Sequence, residues 1–444
     1  MKVVIIAAGD GGRLRRKNKN IIKPLIPILG VSLIERVILS CKQAGFNEFV
    51  VVVGFKKDDL VLHLNKIAEK QNITLRVAEN PEWRKGNGTT VLACERFVEE
   101  PFVLLMCDHL FDPEILQGLV QEKLSTDECV LAVDRRTNEI FDLEDATKIQ
   151  YQGRDITAIG KELNSFNGID TGIFLCTPAI FDALREANQQ NKCPLSNGVR
   201  YLIRDKKMKM HDIGDRFWID VDTGKSLKRA KRLLLENLPK PQEDGFVSQY
   251  LNRAISLKIS SLLSYTKLTP NSITILSFVV ALIGAYLFSF GNYLWTAVAG
   301  VLVQLSSIVD GCDGEIARLK YLKSRFGGWF DTILDRYADT AIAVGISYAF
   351  WQEHPSPLVW IGGIGALIGF ILSSYTIKEY GLRYSEDIPP TFINRLRKRD
   401  LRLFLIFIGA LLNRPFWSLL IVGAISHLSV VWNFLHVYFE KDNK

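Results

Sequence analysis

No two cysteines in this chain are spaced as CxxC. The seven, Cys41, Cys94, Cys107, Cys129, Cys176, Cys193 and Cys312, fall in apolar or mixed stretches. That argues against a disulfide frame or a zinc site and fits thiols kept reduced in a cytosol. Long apolar runs are missing before about residue 240, where short ones alternate with charged, helix-like stretches as in a soluble domain. The opening MKVVIIAAG is too short an apolar run for a signal peptide and leads straight into a loop, so none is expected. Lysine and arginine are absent from two loops of the second half, FGN at 290–292 and QEHPSP at 352–357.

A chain of 444 residues exceeds one ordinary core, so two or three domains are expected. From Ser272 onward the apolar runs lengthen toward the ~20 residues a bilayer requires. Six candidate spans follow, 272–290, 293–309, 329–351, 358–377, 401–413 and 415–439, the fifth so short that it needs snorkelling basic neighbours to cross. Basic residues crowd the loops around 311–328 and 378–402, including Arg318, Lys320, Arg383, Arg395, Arg397, Lys398 and Arg399, while the third alternate loop holds only Arg414. The positive-inside rule therefore predicts a multi-pass protein of the cell membrane with its N-terminal domain cytoplasmic. The formal charge of +7 is mostly this asymmetry beside anionic lipid and gives no case for nucleic acid.

The first half opens with VVIIAAGDGGRL, an apolar strand running into a glycine-rich turn whose backbone N–H groups can close on phosphate. FVVVVGF at 49–55 and FVLLMCDHLF at 102–111 are further apolar strands separated by helical patterns. This alternation predicts an α/β domain with a Rossmann-like, mostly parallel sheet and a ligand at the strand carboxyl ends.

AAGDGGRL, Lys23-Pro24-Leu25, GNGTT at 86–90, MCDH at 106–109 and WIDVDT at 218–223, in that order, resemble the signature of sugar-1-phosphate nucleotidyltransferases over roughly residues 1–235. The resemblance implies attack of a sugar or polyol phosphate on the α-phosphorus of a nucleoside triphosphate. Two phosphates that repel one another need fixed cations, here Arg13 and Lys23 beside the loop of Ala8, Gly9, Gly11 and Gly12, plus a metal. Asp108 and either Asp220 or Asp222 are the expected oxygen ligands of Mg²⁺, one ion or two; by analogy the Trp-x-Asp register favours Asp220, with Asp222 behind it. Gly86, Asn87 and Gly88 resemble the segment that reads the base. Lys161, Asp170, Thr171 and Gly172 would face the acceptor phosphate and polyol hydroxyls. Gly12 departs from the family, which has Ser or Thr there, and Asp10 adds a negative charge to the phosphate loop.

Pro239, Pro241 and Gly245 mark a linker, 239–246, between domains 1–238 and 247–444. FVSQYLNRAISLKISSLLSY then reads as an amphipathic helix, about 247–265, lying in the cytoplasmic interface.

Four aspartates stand amid the most apolar sequence. Asp310 and Asp313 are three apart, Asp331 and Asp335 four apart, so on helices each pair shares a face. The intervening loop, with Gly327 and Gly328, would let the second helix return beside the first. Carboxylates converging in a low dielectric need cations, and two Mg²⁺ bridged by them suit displacement at a diphosphate. Asp310, Asp313, Gly314, Ala317, Arg318, Gly327, Asp331 and Asp335 resemble without a gap the signature of CDP-alcohol phosphotransferases, and TPNSIT at 269–274, with Asn271 and Thr274, fits the same family. That implies metal ligation by Asp310, Asp313 and Asp331, with Asp335 at the metal edge as general base. Gly314, Ala317 and Gly327 leave room for the cytidine diphosphate, whose phosphates Arg318 binds. An all-α polytopic membrane domain of about six transmembrane helices is implied; members are often dimers, and a homodimer through this domain is expected by analogy.

The combination, with KGNG, ATKI, PLSNGV and SSIVDGCDGEIAR, is similar to the bifunctional inositol-1-phosphate cytidylyltransferases and di-myo-inositol-phosphate-phosphate synthases of osmolyte biosynthesis. It implies CTP, inositol-1-phosphate, CDP-inositol and the lipid bilayer as partners. Two other readings stay open at this level: a phospholipid synthase using a CDP-lipid, with a degenerate first domain, and a nucleotide-regulated transporter.

Overall fold

Val3–Ala7 (β1) is buried along its whole length, as a central strand covered on both faces must be. The computed structural model describes residues 1–11, 22–138, 141–187, 193–238, 244–385 and 391–441. It divides into two compact units, Met1–Leu233 and Leu234–Lys444. Residues 239–243 of the expected linker lie outside the described residues.

The further strands of the first unit are β2 (Pro27–Ile28), β3 (Val31–Ser32), β4 (Glu48–Val53), β5 (Thr74–Glu79), β6 (Phe102–Met106), β7 (His109–Phe111), β8 (Cys129–Asp134), β9 (Lys148–Gln152), β10 (Asp155–Gly160), β11 (Gly168–Cys176), β12 (Met208–Asp212) and β13 (Trp218–Asp220). Nine form one sheet in the order β5-β4-β1-β6-β11-β8-β12-β10-β9. β11 and β10 run against the other seven, so the sheet is mostly parallel in direction. Its parallel part, β5-β4-β1-β6, ends at the loops that carry the glycine turn and Asp108. β7 and β13 make a separate antiparallel pair whose register sets Asp220 opposite His109.

In the second unit, four helices of the described residues are long and apolar enough to cross a membrane: Pro270–Phe288, Tyr293–Leu319, Pro357–Tyr384 and, within the last helix, Pro415–Phe439. Arg325–Glu353 is as long but carries Asp331, Asp335, Arg336 and Asp339. Arg399–Leu411 has 13 residues, about 20 Å at 1.5 Å per residue, short of the roughly 30 Å hydrocarbon layer. Three helices extend well beyond the sequence-predicted spans: Tyr293–Leu319 and Pro357–Tyr384 run on past 309 and 377 at their carboxyl ends, and Arg325–Glu353 starts ahead of 329 at a polar cap. The Ser324 hydroxyl accepts the Gly327 N–H, which places Gly327 and Gly328 in the first helical turn rather than in the expected loop.

Exposure in this unit is inverted relative to a water-soluble bundle. Ile275, Leu276, Val279 and Ile283 face outward while Thr274, Ser277, Gln304 and Ser306 are buried. The helix Arg253–Leu263 follows the same rule, burying Ser256 and Ser260 and exposing Ile255 and Leu262. Glu315, fully buried, accepts from Arg253 and Ser256 at 2.6 Å each and ties this helix to Tyr293–Leu319.

Glycines set the closest helix approaches. A Cβ at Gly423 would lie 2.6 Å from the Ala366 Cβ and 2.7 Å from its Cα, whereas one at Gly365 meets nothing within 4 Å. Gly423→Ala is therefore expected to force two helices apart at a cost of about 1–3 kcal/mol, lowering the thermal unfolding midpoint in detergent, with Gly365→Ala unchanged or higher. Equal midpoints would contradict the packing.

Candidate active sites

The carboxyl ends of β1 and β6 open on a cleft of about 300 Å³ walled by Ala8, Gly9, Gly11, Lys23, Asn87, Asp108 and Asp222, among others. Gly11 has φ +62°, and a Cβ there would strike the Lys23 side chain, so loop and lysine interlock. Gly12 and Arg13 lie outside the described residues. The Lys23 ammonium donates to Asp108 and Asp222 and lies 4.0 Å from Asp220. Burial opposes its charge, but the three carboxylates outweigh burial and hold the lysine well above its ordinary pKa. Burial would likewise raise Asp108, yet Lys23 and His109 reverse this and hold it low. Burial pushes Asp220 up to about 6; His109 opposes the shift and Asp108 adds to it.

Three carboxylates against one ammonium leave two negative charges, the charge of one divalent cation. The Asp220 Oδ1 is buried without a hydrogen-bond partner, although the side chain as a whole is 39% exposed. Donor atoms of Asp108, His109 and Asp220 all fall within 4.8 Å of one another. These residues fit a hard divalent ion.

Several expected contacts take another form. The Gly88 N–H, expected near a base, donates to the Cys193 carbonyl at 2.8 Å, and Asn87 Oδ1 accepts the Leu195 N–H at 2.7 Å. A Cβ at Gly86 or Gly88 would come within 2.7 or 2.6 Å of that Cys193 carbonyl, so packing alone requires both glycines. Thr171 is fully buried and its hydroxyl donates to Ala132 O at 2.8 Å, which turns it into the sheet instead of toward a polyol. Lys161 is exposed and paired with Asp145 at 2.5 Å. Asp170 accepts the Gly172 N–H at 2.7 Å, and burial raises its pKa.

In the second unit, Asp310, Asp313 and Asp331 converge, with donor atoms within 4.8 Å of one another. The Asp331 Oδ1 is buried and has no hydrogen-bond partner, which again fits a cation. The helix Pro270–Phe288 orients the first pair: Thr274 donates to Asp313 at 2.5 Å and Ser277 to Asp310 at 3.0 Å. A Cβ at Gly327 would lie 3.3 Å from Asn271 Oδ1, and one at Gly314 3.3 Å from an Arg318 nitrogen, so those expected nucleotide residues cluster in two pairs. Ala317 stands one residue before Arg318 on the same helix.

Arg399 Nη1 lies 2.6 Å from Asp335 and 3.2 Å from Asp310, and its Nε 3.1 Å from Asp339. Arg336 and Arg402 also face Asp339, at 3.5 and 3.4 Å. Beside them a cleft of about 400 Å³ is lined by Arg336, Arg397, Lys398, Arg399 and Arg402 next to Asp310 and Asp335. Arg383, by contrast, is bound to Glu379 at the exposed surface.

The first unit matches the model of the MobA-like NTP transferase domain over residues 3–206, and the second that of CDP-alcohol phosphatidyltransferases over 267–434. A bifunctional IPC transferase and DIPP synthase of Rubrobacter xylanophilus is 34% identical over 95% of this chain and 93% of its own length. The protein of the same name from Archaeoglobus fulgidus is 33% identical over 99% of this chain and 85% of its own. The chain belongs to the bifunctional IPC transferase and DIPP synthase family. The solved inositol-1-phosphate CTP transferase of T. maritima is 25% identical, with a TM-score of 0.48, covering 52% of this chain and 94% of that one.

For this bifunctional family member, sequence reasoning missed His109, Ser277, Asp339 and Arg399. Three left signals: His109 stands inside MCDH, Ser277 lies one turn after Thr274, and Asp339 continues the four-residue step of Asp331 and Asp335. Arg399 left none, since its neighbours in sequence are equally basic and serve topology.

Proposed function

We propose that the first unit makes CDP-inositol and diphosphate from CTP and inositol-1-phosphate. The second joins CDP-inositol to another inositol-1-phosphate, giving di-myo-inositol phosphate phosphate and CMP, a precursor in osmolyte biosynthesis. The observation that carries this is one carboxylate cluster in each unit, each with a buried oxygen lacking a hydrogen-bond partner, on a chain with near-full-length bifunctional relatives.

Bound at Asp108 and Asp220, Mg²⁺ would draw charge from the triphosphate oxygens. Lys23, held cationic by its carboxylates, offsets the repulsion between the attacking phosphate and the triphosphate, and the Ala8–Gly11 backbone lies where phosphate oxygens can accept its N–H groups. The P–O bond to the β-phosphate breaks as the new one forms, releasing diphosphate.

In the second unit Asp310, Asp313, Asp331 and Asp335 would hold two Mg²⁺. Five carboxylates, Asp339 included, stand against Arg336, Arg399 and Arg402 and leave two negative charges. Two divalent ions exceed that by two positive charges, which the two negative charges of the donor's diphosphate offset. Asp335 takes the proton of the acceptor hydroxyl as its oxygen attacks the inositol-bearing phosphorus, and CMP leaves. The acceptor's own phosphate suits the Arg336, Arg397 and Arg402 side of the cleft.

Six membrane crossings, with a cytoplasmic first unit and helix Arg253–Leu263 in the interface, bring both soluble substrates to one face. The basic loops and the outward apolar face of that helix support this topology. The domains are taken as 1–238 and 247–444, and a homodimer through the second remains the expected assembly.

Phosphorus NMR of the detergent-purified chain with CTP, Mg²⁺ and inositol-1-phosphate should show diphosphate, then a phosphodiester and CMP. Diphosphate release with another sugar phosphate, but none with inositol-1-phosphate, would overturn the substrate assignment.

A further inference from the structure

His109, grouped above with Asp108 and Asp220 by distance alone, has no part in the reaction as described, yet its ring is firmly placed beside the soluble carboxylates. Its Nδ1 lies 2.6 Å from the Thr171 carbonyl oxygen. A carbonyl can only accept, so Nδ1 carries the hydrogen, and in the neutral ring the lone pair sits on Nε2. That Nε2 faces Asp220 Oδ1 at 3.7 Å and Asp108 Oδ1 at 3.8 Å. Lys23 binds the other Asp108 oxygen, Oδ2, and leaves Oδ1 to this corner.

We propose that His109 is a third ligand of the cation held by Asp108 and Asp220, so the soluble site grips its metal through one imidazole nitrogen and two carboxylates. The proposal rests on the reading of this cluster as the metal site of cytidylyl transfer. Donors sharing one ion at about 2.1 Å stand roughly 3.0 Å apart when adjacent and 4.2 Å when opposite, and both separations seen here fall between those limits. An imidazole whose other nitrogen donates to a backbone carbonyl is the usual arrangement of a metal-bound histidine.

The backbone is built around this placement. The β7–β13 register fixes Asp220 opposite His109. Gly172 has φ +71°, and a Cβ there would collide with the imidazole, so a glycine is needed to let the ring reach Thr171. The Trp218 ring closes the other side, 6.1 Å away. A nitrogen donor shifts preference along the first-row series, toward Mn²⁺ and Co²⁺ and away from Mg²⁺.

The test uses the full chain loaded with Mn²⁺ alone and read by electron spin echo envelope modulation. Among the described residues the second unit's cluster is all carboxylate, so nitrogen coupling reports on the soluble site. Wild type should show nitrogen-14 modulation, and protein grown on nitrogen-15 histidine should exchange it for the nitrogen-15 pattern, with no mutation involved. His109→Asn should lose the coupling and weaken Mn²⁺ binding at this site about tenfold or more. Bound Mn²⁺ without nitrogen coupling, or coupling unmoved by the label, would overturn the ligand assignment and leave the carboxylate metal site standing. No Mn²⁺ retained in an Asp310→Asn, Asp313→Asn background would overturn both.

Discussion

Asp335→Asn is expected to leave CDP-inositol formation at the wild-type rate while slowing phosphodiester formation by about two to four orders of magnitude, the range for removing a general base. The amide keeps the size of the carboxylate but cannot take a proton. Arg399 does not lose its place, because Asp310 and Asp339 still hold it at 3.2 and 3.1 Å. The loss should therefore appear in turnover, with folding intact. Phosphorus NMR time courses with CTP and inositol-1-phosphate would then show CDP-inositol accumulating without CMP. Turnover within tenfold of wild type would mean that the proton leaves by another route, and Asp335 would be reduced to a metal ligand.

The complementary substitution, Asp108→Asn, should stop diphosphate release by about three orders of magnitude, the rate equivalent of a loss of several kcal/mol in charge stabilisation. Two effects combine. One of two carboxylates facing the cation is lost, and Lys23 loses one of the charges that keep its ammonium fixed. Added CDP-inositol should restore CMP release in full, because the second carboxylate cluster lies entirely in the other compact unit. A variant that also fails with supplied CDP-inositol would show that the two chemistries are not separable in this way. One that makes CDP-inositol normally would remove Asp108 from the reaction.

Much of this was legible in one dimension because the governing spacings are short. Asp310 and Asp313 share a helix face by periodicity alone, and VVIIAAG announces a buried strand running into an open turn. Hydropathy marked where the long helices lie, but neither their lengths nor their ends: the Ser324 cap starts one helix ahead of its apolar residues, and Tyr293–Leu319 runs on through the charged motif. GNGTT suggested a segment that reads the base at 86–88, but not the packing reason for its two glycines. The reason is a carbonyl more than a hundred residues away, at Cys193. Thr171 misled for a similar cause: a hydroxyl next to Asp170 looks available until β11 turns it toward Ala132.

The sequence by itself determined that this chain couples an α/β nucleotidyltransferase unit to a helical membrane-type unit, and it named nearly every carboxylate in both clusters. Local periodicity and motif order suffice for that: Asp310 and Asp313, and Asp331 and Asp335, lie within a few positions of one another, while Asp108 and Asp220 each stand inside a recognisable motif. Only the tertiary structure decided which groups from distant segments complete each site. His109 meets Asp220 through a strand pairing across 111 positions, and Arg399 reaches Asp310 and Asp335 from a helix that in sequence is one more basic stretch. Charge partners of that kind are chosen by packing, on which spacing along the chain has no hold.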